Sequence, residues 1–322
     1  MNSPVQETAH SDDLARRVLR SLPLYVNIRR WHREGFARAV SRYSLWTQIL
    51  KTPPVHTSRV SEDNRVEVHL LCYERDYLTA MWSLKTFYWQ SQVKYPLAIH
   101  IHGALPGIAY RRLAKHFPEA RILTYRSASA TAGKMLDERN FGRLRQWRGS
   151  SGFMLKLTDF HLLNQGRVLL ALDSDLLFFR RPSEILAAAE STSQTDTITI
   201  QRDIESTYNI DAAHAKDRWG IDLPGQVNTG VIICRQDASL LERCEQWLGD
   251  SAIARPTGWI EQTLYAMLAA SRVCYLPDTY LVSREPKVDL SSVTMRHYAG
   301  DTRRFLTEEG MPYLLRLGLP NS

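Results

Sequence analysis

The stretch "RVLLALDSDLLFFRRP", Arg167 to Pro182, sets two aspartates inside a run that apolar residues otherwise fill. Val168 to Leu172 reads as an interior strand and Leu176 to Phe179 as its continuation, with Asp173 and Asp175 between them. Alternation along an extended chain points both carboxylates to the same face. Side by side they repel, and burying them is costly unless something positive compensates them. A helix terminus, the arginine pair Arg180 and Arg181, or a divalent cation could do so. Oxygen ligands of this kind suit Mg²⁺ or Mn²⁺, and an ion held by few carboxylates usually completes its shell with phosphates. A lone Asp-x-Asp is a weak signal, and taken by itself it favours the ion-pair network with Arg180 and Arg181.

Outward from this stretch, strands and helices alternate. "VEVHLLC" (66 to 72) is a strand and Tyr77 to Gln90 an amphipathic helix; "LAIHIHG" (97 to 103) is a second strand, followed by a helix around Ala109 to His116. "ARILTY" (120 to 125) is a third strand, and "FMLKLTDFHLL" (153 to 163) is helical by its spacing. The alternation predicts an α/β fold with a mostly parallel sheet flanked by helices, whose pocket lies beyond the carboxyl ends of the strands. Asp173 and Asp175 fall at such an end.

The chain has 322 residues, 44% hydrophobic and 23% charged, enough to bury a sizeable core without staples. Cys72, Cys234, Cys244 and Cys274 are scattered with no CxxC pair, which argues for free cysteines in a reducing cytosol. No run approaches the roughly 20 apolar residues of a spanning helix, and the amino terminus lacks the charged start and apolar run of a secretory signal. A cytoplasmic protein is the expectation. The net charge of +7 is uneven: Arg16, Arg17, Arg20, Arg29, Arg30, Arg33, Arg38 and Arg42 crowd the first fifty residues among Trp31, Phe36, Tyr43 and Trp46. This basic stretch reads as a solvated helical extension, with peripheral contact to an anionic membrane as a further possibility; no nucleic-acid-binding signature accompanies it. Residues 1–60 are thus an extension and linker, and residues 61–322 the α/β domain.

The order of motifs adds to this. "DSD" is followed by "QVNTGVIIC", "GWIEQTLYAML" and "MRHYAGDTR". The order and spacing resemble the GT-A (Rossmann-like) glycosyltransferases, especially the retaining family 8 type that includes glycogenin. The matching residues are Asp173 and Asp175, Asn228 and Gly230, Glu261 and Gln262, then His297, Gly300 and Arg303, with Lys156 as the basic residue upstream. "LCYERDYLTAMWSLKTF" resembles the opening strand and helix, which brings in Cys72, Tyr73 and Tyr77. Arg303 stands where the family has Lys, and Glu261 where it has Asp.

The resemblance implies transfer of a sugar from a nucleotide diphosphate sugar, a UDP-sugar first, to an acceptor that could be glycan, lipid, protein or small molecule. Asp173, Asp175 and His297 would hold Mn²⁺ or Mg²⁺, which stabilises the departing diphosphate as a Lewis acid. Lys156 and Arg303 would meet phosphate oxygens. Ser174 would leave room for the nucleotide, and Asn228 and Gly230 would border the donor sugar. In a retaining enzyme no side chain need act as base, and Gln262 orients; in an inverting one Glu261 or Asp203 takes the acceptor proton. Each residue also has a plainer reading: His297 as a core histidine, Asn228 as a turn cap, Lys156 as a snorkelling lysine, Glu261 and Gln262 as exposed helix surface. A nucleotidyltransferase would carry a Gly-rich loop after the first strand, which "CYERDYLTAM" lacks. A non-catalytic GT-A-like binding domain is the remaining alternative.

Overall fold

The computed structural model describes residues 36–59, 65–73, 76–192 and 195–318. The chain divides into two units, Met1–Lys51 and Thr52–Ser322. In the first, helix α1 (Phe36–Gln48) runs into a 3-10 turn, Ile49–Lys51. The part of the expected helical extension before Phe36, with the arginines from Arg16 to Arg33, lies outside the described residues.

The second unit opens with β1 (Val66–Tyr73), α2 (Tyr77–Ser91), β2 (Leu97–His102), α3 (Gly107–His116) and β3 (Arg121–Leu123). Helices α4 (Tyr125–Glu138), α5 (Gly142–Ser150) and α6 (Met154–Leu163) lead to β4 (Val168–Leu172) and β5 (Leu176–Phe178). Then follow α7 (Ser183–Ser191), β6 (Ile198–Arg202), α8 (Ala212–Trp219), β7 (Val227–Arg235), α9 (Ala238–Trp247) and α10 (Ile260–Ala269). Strands β8 (Val273–Tyr275), β9 (Tyr280–Val282) and β10 (Met295–His297) and helix α11 (Met311–Arg316) close the chain.

Seven strands form one sheet in the order β3-β2-β1-β4-β7-β6-β8. All neighbours run parallel except β7, which is antiparallel to both β4 and β6. β4 is buried at every residue, as its unbroken apolar sequence requires of a strand covered on both faces. The third strand is shorter than its apolar run suggests, because Thr124 leaves it to cap α4: its hydroxyl accepts from the Ser127 N–H at 3.2 Å. Part of the stretch that reads as linker is anchored. Buried Lys85 of α2 donates to Thr52 Oγ1 and to the Pro53 carbonyl, each at 2.5 Å.

Leu176–Phe178 is not a continuation of β4. It pairs antiparallel with β10 in a separate three-stranded sheet, β5-β10-β9. The two aspartates make the switch. Asp173 N–H donates to the Gly230 carbonyl at 2.9 Å, the last bond toward β7, whereas the Asp175 carbonyl accepts from Tyr298 N–H at 2.9 Å, toward the β10 side. The β5–β10 register sets His297 opposite Leu176, next to Asp175. Pairing of β5 with β10 thus delivers the histidine to the carboxylates across 122 residues of sequence.

Candidate active site

Asp173, Asp175 and His297 converge beyond the carboxyl end of β4. The ring Nε2 of His297 lies 3.1 Å from Asp175 Oδ1 and 3.7 Å from Asp173 Oδ2. One ligand atom from each residue fits within 4.8 Å of the others. Adjacent ligands of an octahedral cation at about 2.1 Å would stand about 3 Å apart, so the spacing fits such an ion. Two carboxylate oxygens and one imidazole nitrogen are a donor set that a divalent cation can use.

The compensating charge does not come from the arginines next in sequence. Arg180 and Arg181 are exposed, and Arg181 donates to the Ser91 carbonyl. Instead Lys156 of α6, 3% exposed, lies 2.8 Å from Asp173 Oδ1. Arg303 donates through Nε to Asp175 Oδ2 at 2.9 Å and through a terminal nitrogen to Asp76 at 3.2 Å. Burial pushes the Asp175 carboxyl up, but His297 and Arg303 outweigh it and hold it well below the usual range. Burial pulls His297 down, and the two aspartates more than offset this, so its proton is held above the ordinary histidine value.

Lys156 is shared. Its ammonium also donates to the Thr229 carbonyl at 2.7 Å and sits 3.6 Å from Glu261 Oε1. One cation serves two carboxylates, and the nearer is Asp173. Glu261, 3% exposed, keeps only a distant share plus a hydrogen bond from the Thr229 hydroxyl at 2.9 Å. Its Oε1 has no hydrogen-bond partner. Burial lifts its carboxyl to about 7, with Lys156 opposing. Glu261 and Gln262 are therefore interior residues of α10, not helix surface; Gln262 donates to the Thr207 carbonyl at 3.1 Å.

The segment Asn228-Thr229-Gly230 organises much of this. β6 pairs Ile200 with Ile232 and then Gln201 with Asn228, so β7 bulges between them. The bulge frees Thr229 to hold Lys156 and Glu261. Asn228 accepts the Gly230 N–H and faces His297 Nδ1, 2.9 and 3.0 Å from its Oδ1, and its amide donates to Asp203 Oδ2 at 2.9 Å. A Cβ on Gly230 would come within 2.5 Å of the His297 ring, so the close approach that glycine permits here is to the histidine.

The remaining residues named from sequence have partners of their own. Cys72 is fully buried, and burial raises its thiol far above the ordinary value. Tyr73, at the end of β1, packs its ring 4.9 Å from His102 and 6.2 Å from the exposed ring of Phe153. The Tyr77 hydroxyl accepts from Arg112 at 2.5 Å. Ser174 is buried between the aspartates, and Gly300, at φ +56°, opens the turn that carries Arg303. Thr229 and Asp76 are part of the site and carry no signal of their own in the sequence.

No model of a known family matches the chain, and no curated protein sequence matches it. Solved structures do. Mouse xyloside xylosyltransferase 1 superposes with a TM-score of 0.50 at 13% identity, over 74% of this chain and 99% of that one. The galactosyltransferase LgtC, solved with donor and acceptor sugar analogues, gives 0.50 at 14% identity, over 78% of this chain and 94% of that one. The fold is that of the GT-A glycosyltransferases. The bifunctional glycosyltransferase WbbM also matches, with a TM-score of 0.49 and 12% identity, and this chain spans only 52% of its length. At these identities the likeness is one of fold.

Proposed function

We propose that this chain is a metal-dependent glycosyltransferase that uses a nucleotide diphosphate sugar. The observation that carries the reading is the meeting of Asp173, Asp175 and His297 at ligand distances beyond the carboxyl end of β4, inside a GT-A fold. A divalent cation, Mn²⁺ or Mg²⁺, would neutralise the charge that builds on the departing diphosphate. Arg303 is 45% exposed at its side chain and can turn from Asp76 toward phosphate oxygens, where its planar fork suits two at once. Lys156 acts from behind Asp173, holding that carboxylate in place. Tyr73 and Tyr77 border the nucleotide at the end of β1 and the start of α2, and UDP is the first donor nucleotide to test.

Retention is the reading we favour for the stereochemistry. Glu261 is interior and turned to Lys156 and Thr229, and Asp203 is engaged by Asn228 and by the Ile204 N–H at 2.7 Å. Neither is poised for an acceptor hydroxyl, so the departing phosphate takes its proton on the same face, and Gln262 orients. The carboxyl of Glu261 near 7 favours one second reading, an inverting enzyme with Glu261 as base. The anomeric configuration of the product decides between them.

No helix among the described residues is long and apolar enough to cross a membrane. A cytoplasmic setting, and contact of the basic amino-terminal stretch with anionic lipid, belong to the proposal. Deleting residues 1–55 should then abolish binding to anionic liposomes, and unchanged binding would remove that part of the reading. For the donor site the test is thermal stabilisation by UDP, GDP, CMP and dTDP, each with and without Mn²⁺, in the wild type and in Asp175→Asn. One nucleotide should stabilise, only with metal and only with Asp175 intact. No shift with any of them would favour a non-catalytic domain, whose aspartates serve only the ion pairs with Lys156 and Arg303.

A further inference from the structure

Asn228 makes three polar contacts, and together they leave one arrangement of its amide. The Gly230 N–H can only donate, and it lies 2.9 Å from Oδ1. The Asp203 carboxylate can only accept, and it lies 2.9 Å from Nδ2. Turning the amide over would set N–H against N–H and oxygen against carboxylate, so Oδ1 must face Gly230. That same oxygen is 3.0 Å from His297 Nδ1. An amide oxygen is an acceptor only, so Nδ1 of His297 must carry a proton. Nε2 faces the carboxylates of Asp175 and Asp173, which hold a proton on it in the absence of metal; a cation that displaces this proton takes Nε2 and leaves Nδ1–H on Asn228.

We infer that Asp203 and Asn228 are positioning residues that fix the tautomer and orientation of His297 as a metal ligand, with Gly230 supplying the room for its ring. The inference rests on the metal-site reading above, and it gives Asp203 a role other than that of general base. Asp203 is itself held: its other oxygen accepts the Ile204 N–H at 2.7 Å, so the chain runs from loop backbone through Asp203 and Asn228 to the imidazole. The ring reaches Asn228 only because residue 230 is glycine: its Cε1 and Nδ1 stand where a side chain there would begin. Outer partners of this kind set which nitrogen binds the metal and raise its basicity.

Two measurements test this separately from the transferase reading. The first needs no variant: long-range ¹H–¹⁵N correlation on histidine-labelled wild type, metal-free and then saturated with the diamagnetic ion Mg²⁺. With Mg²⁺, His297 should keep its Nδ1 proton and lose the one on Nε2; a ring that keeps the Nε2 proton and loses the Nδ1 proton would overturn the inference. The second is Mn²⁺ affinity, read as free Mn²⁺ by electron paramagnetic resonance. Asp203→Asn should weaken binding by about 10- to 100-fold, the usual effect of losing such a partner. The double variant Asp203→Asn/Asn228→Asp exchanges amide and carboxylate, keeps both contacts with donor and acceptor reversed, and should recover most of the loss. If Asp203→Asn binds Mn²⁺ as tightly as wild type while Asp175→Asn does not bind, the positioning role is wrong and the metal site stands. If the wild type binds neither Mn²⁺ nor Mg²⁺ with any nucleotide, the transferase reading fails and the inference falls with it.

Discussion

Replacing Glu261 with Gln should change how the stability of the fold depends on pH. The Glu261 carboxyl is lifted from an ordinary 4.5 to about 7 because burial is only partly offset by Lys156. Below pH 4.5 the folded and unfolded chains both carry this proton, and the group costs nothing. Between 4.5 and 7 the unfolded chain releases the proton while the folded chain retains it, so stability falls as pH rises. Each tenfold change in proton affinity is worth about 1.4 kcal/mol, and the interval comes to about 3 kcal/mol, fully expressed above pH 7. Glutamine does not titrate. Urea unfolding of wild type and Glu261→Gln at half-unit steps from pH 4.5 to 8 isolates the effect: the variant should gain on the wild type by about 3 kcal/mol across the range. Any constant offset from the altered Thr229 contact drops out of this comparison. Parallel curves would refute the claim that Glu261 is left with an inadequate share of Lys156.

Three other predictions follow from the same geometry. Gly230→Ala puts a methyl into the His297 ring and should cost about 1–3 kcal/mol of stability and weaken Mn²⁺ binding; unchanged metal affinity would count against the crowding. Mn²⁺ affinity should fall with pH from above the ordinary histidine value of 6.5, since the metal must displace a proton that Asp175 and Asp173 hold on His297; affinity flat from pH 8 to 5.5 would remove His297 from the ligand set. Arg148 binds Asp159 through two bonds of 2.6 and 2.8 Å, both residues buried, so Arg148→Ala should destabilise by about 3–5 kcal/mol in urea unfolding, and a loss below about 1 kcal/mol would contradict the pairing.

Much of the frame was legible in the sequence because apolar periodicity reports burial. The run at β4, the strand "VEVHLLC" and the alternation with helices are all matters of which residues face the core. The order of Asp-x-Asp, Asn-x-Gly and His-x-x-Gly carried the candidate ligands. What stayed hidden was partnership. Periodicity cannot tell that Leu176–Phe178 pairs with β10 and not with the neighbours of β4, since both strands are equally apolar. Nor can it show that Lys156, not Arg180 or Arg181, compensates Asp173. Gly230 inside an apolar strand was the one cue to the β7 bulge, which turns Thr229 toward Lys156 and Glu261. Asp203 looked like a candidate base because its type is right; its bond to Asn228 depends on loop geometry across 25 residues.

The central claim, that the three ligands at the end of β4 serve cleavage of a nucleotide diphosphate sugar, is tested most directly by following donor consumption. A panel of UDP-, GDP- and dTDP-sugars would be incubated with wild type and Asp175→Asn, with Mn²⁺ or with EDTA, and release of the nucleoside diphosphate measured. The account expects one donor to be consumed by the wild type with Mn²⁺, at a rate that EDTA and Asp175→Asn both abolish. Consumption that persists in Asp175→Asn, or that EDTA leaves untouched, would contradict it.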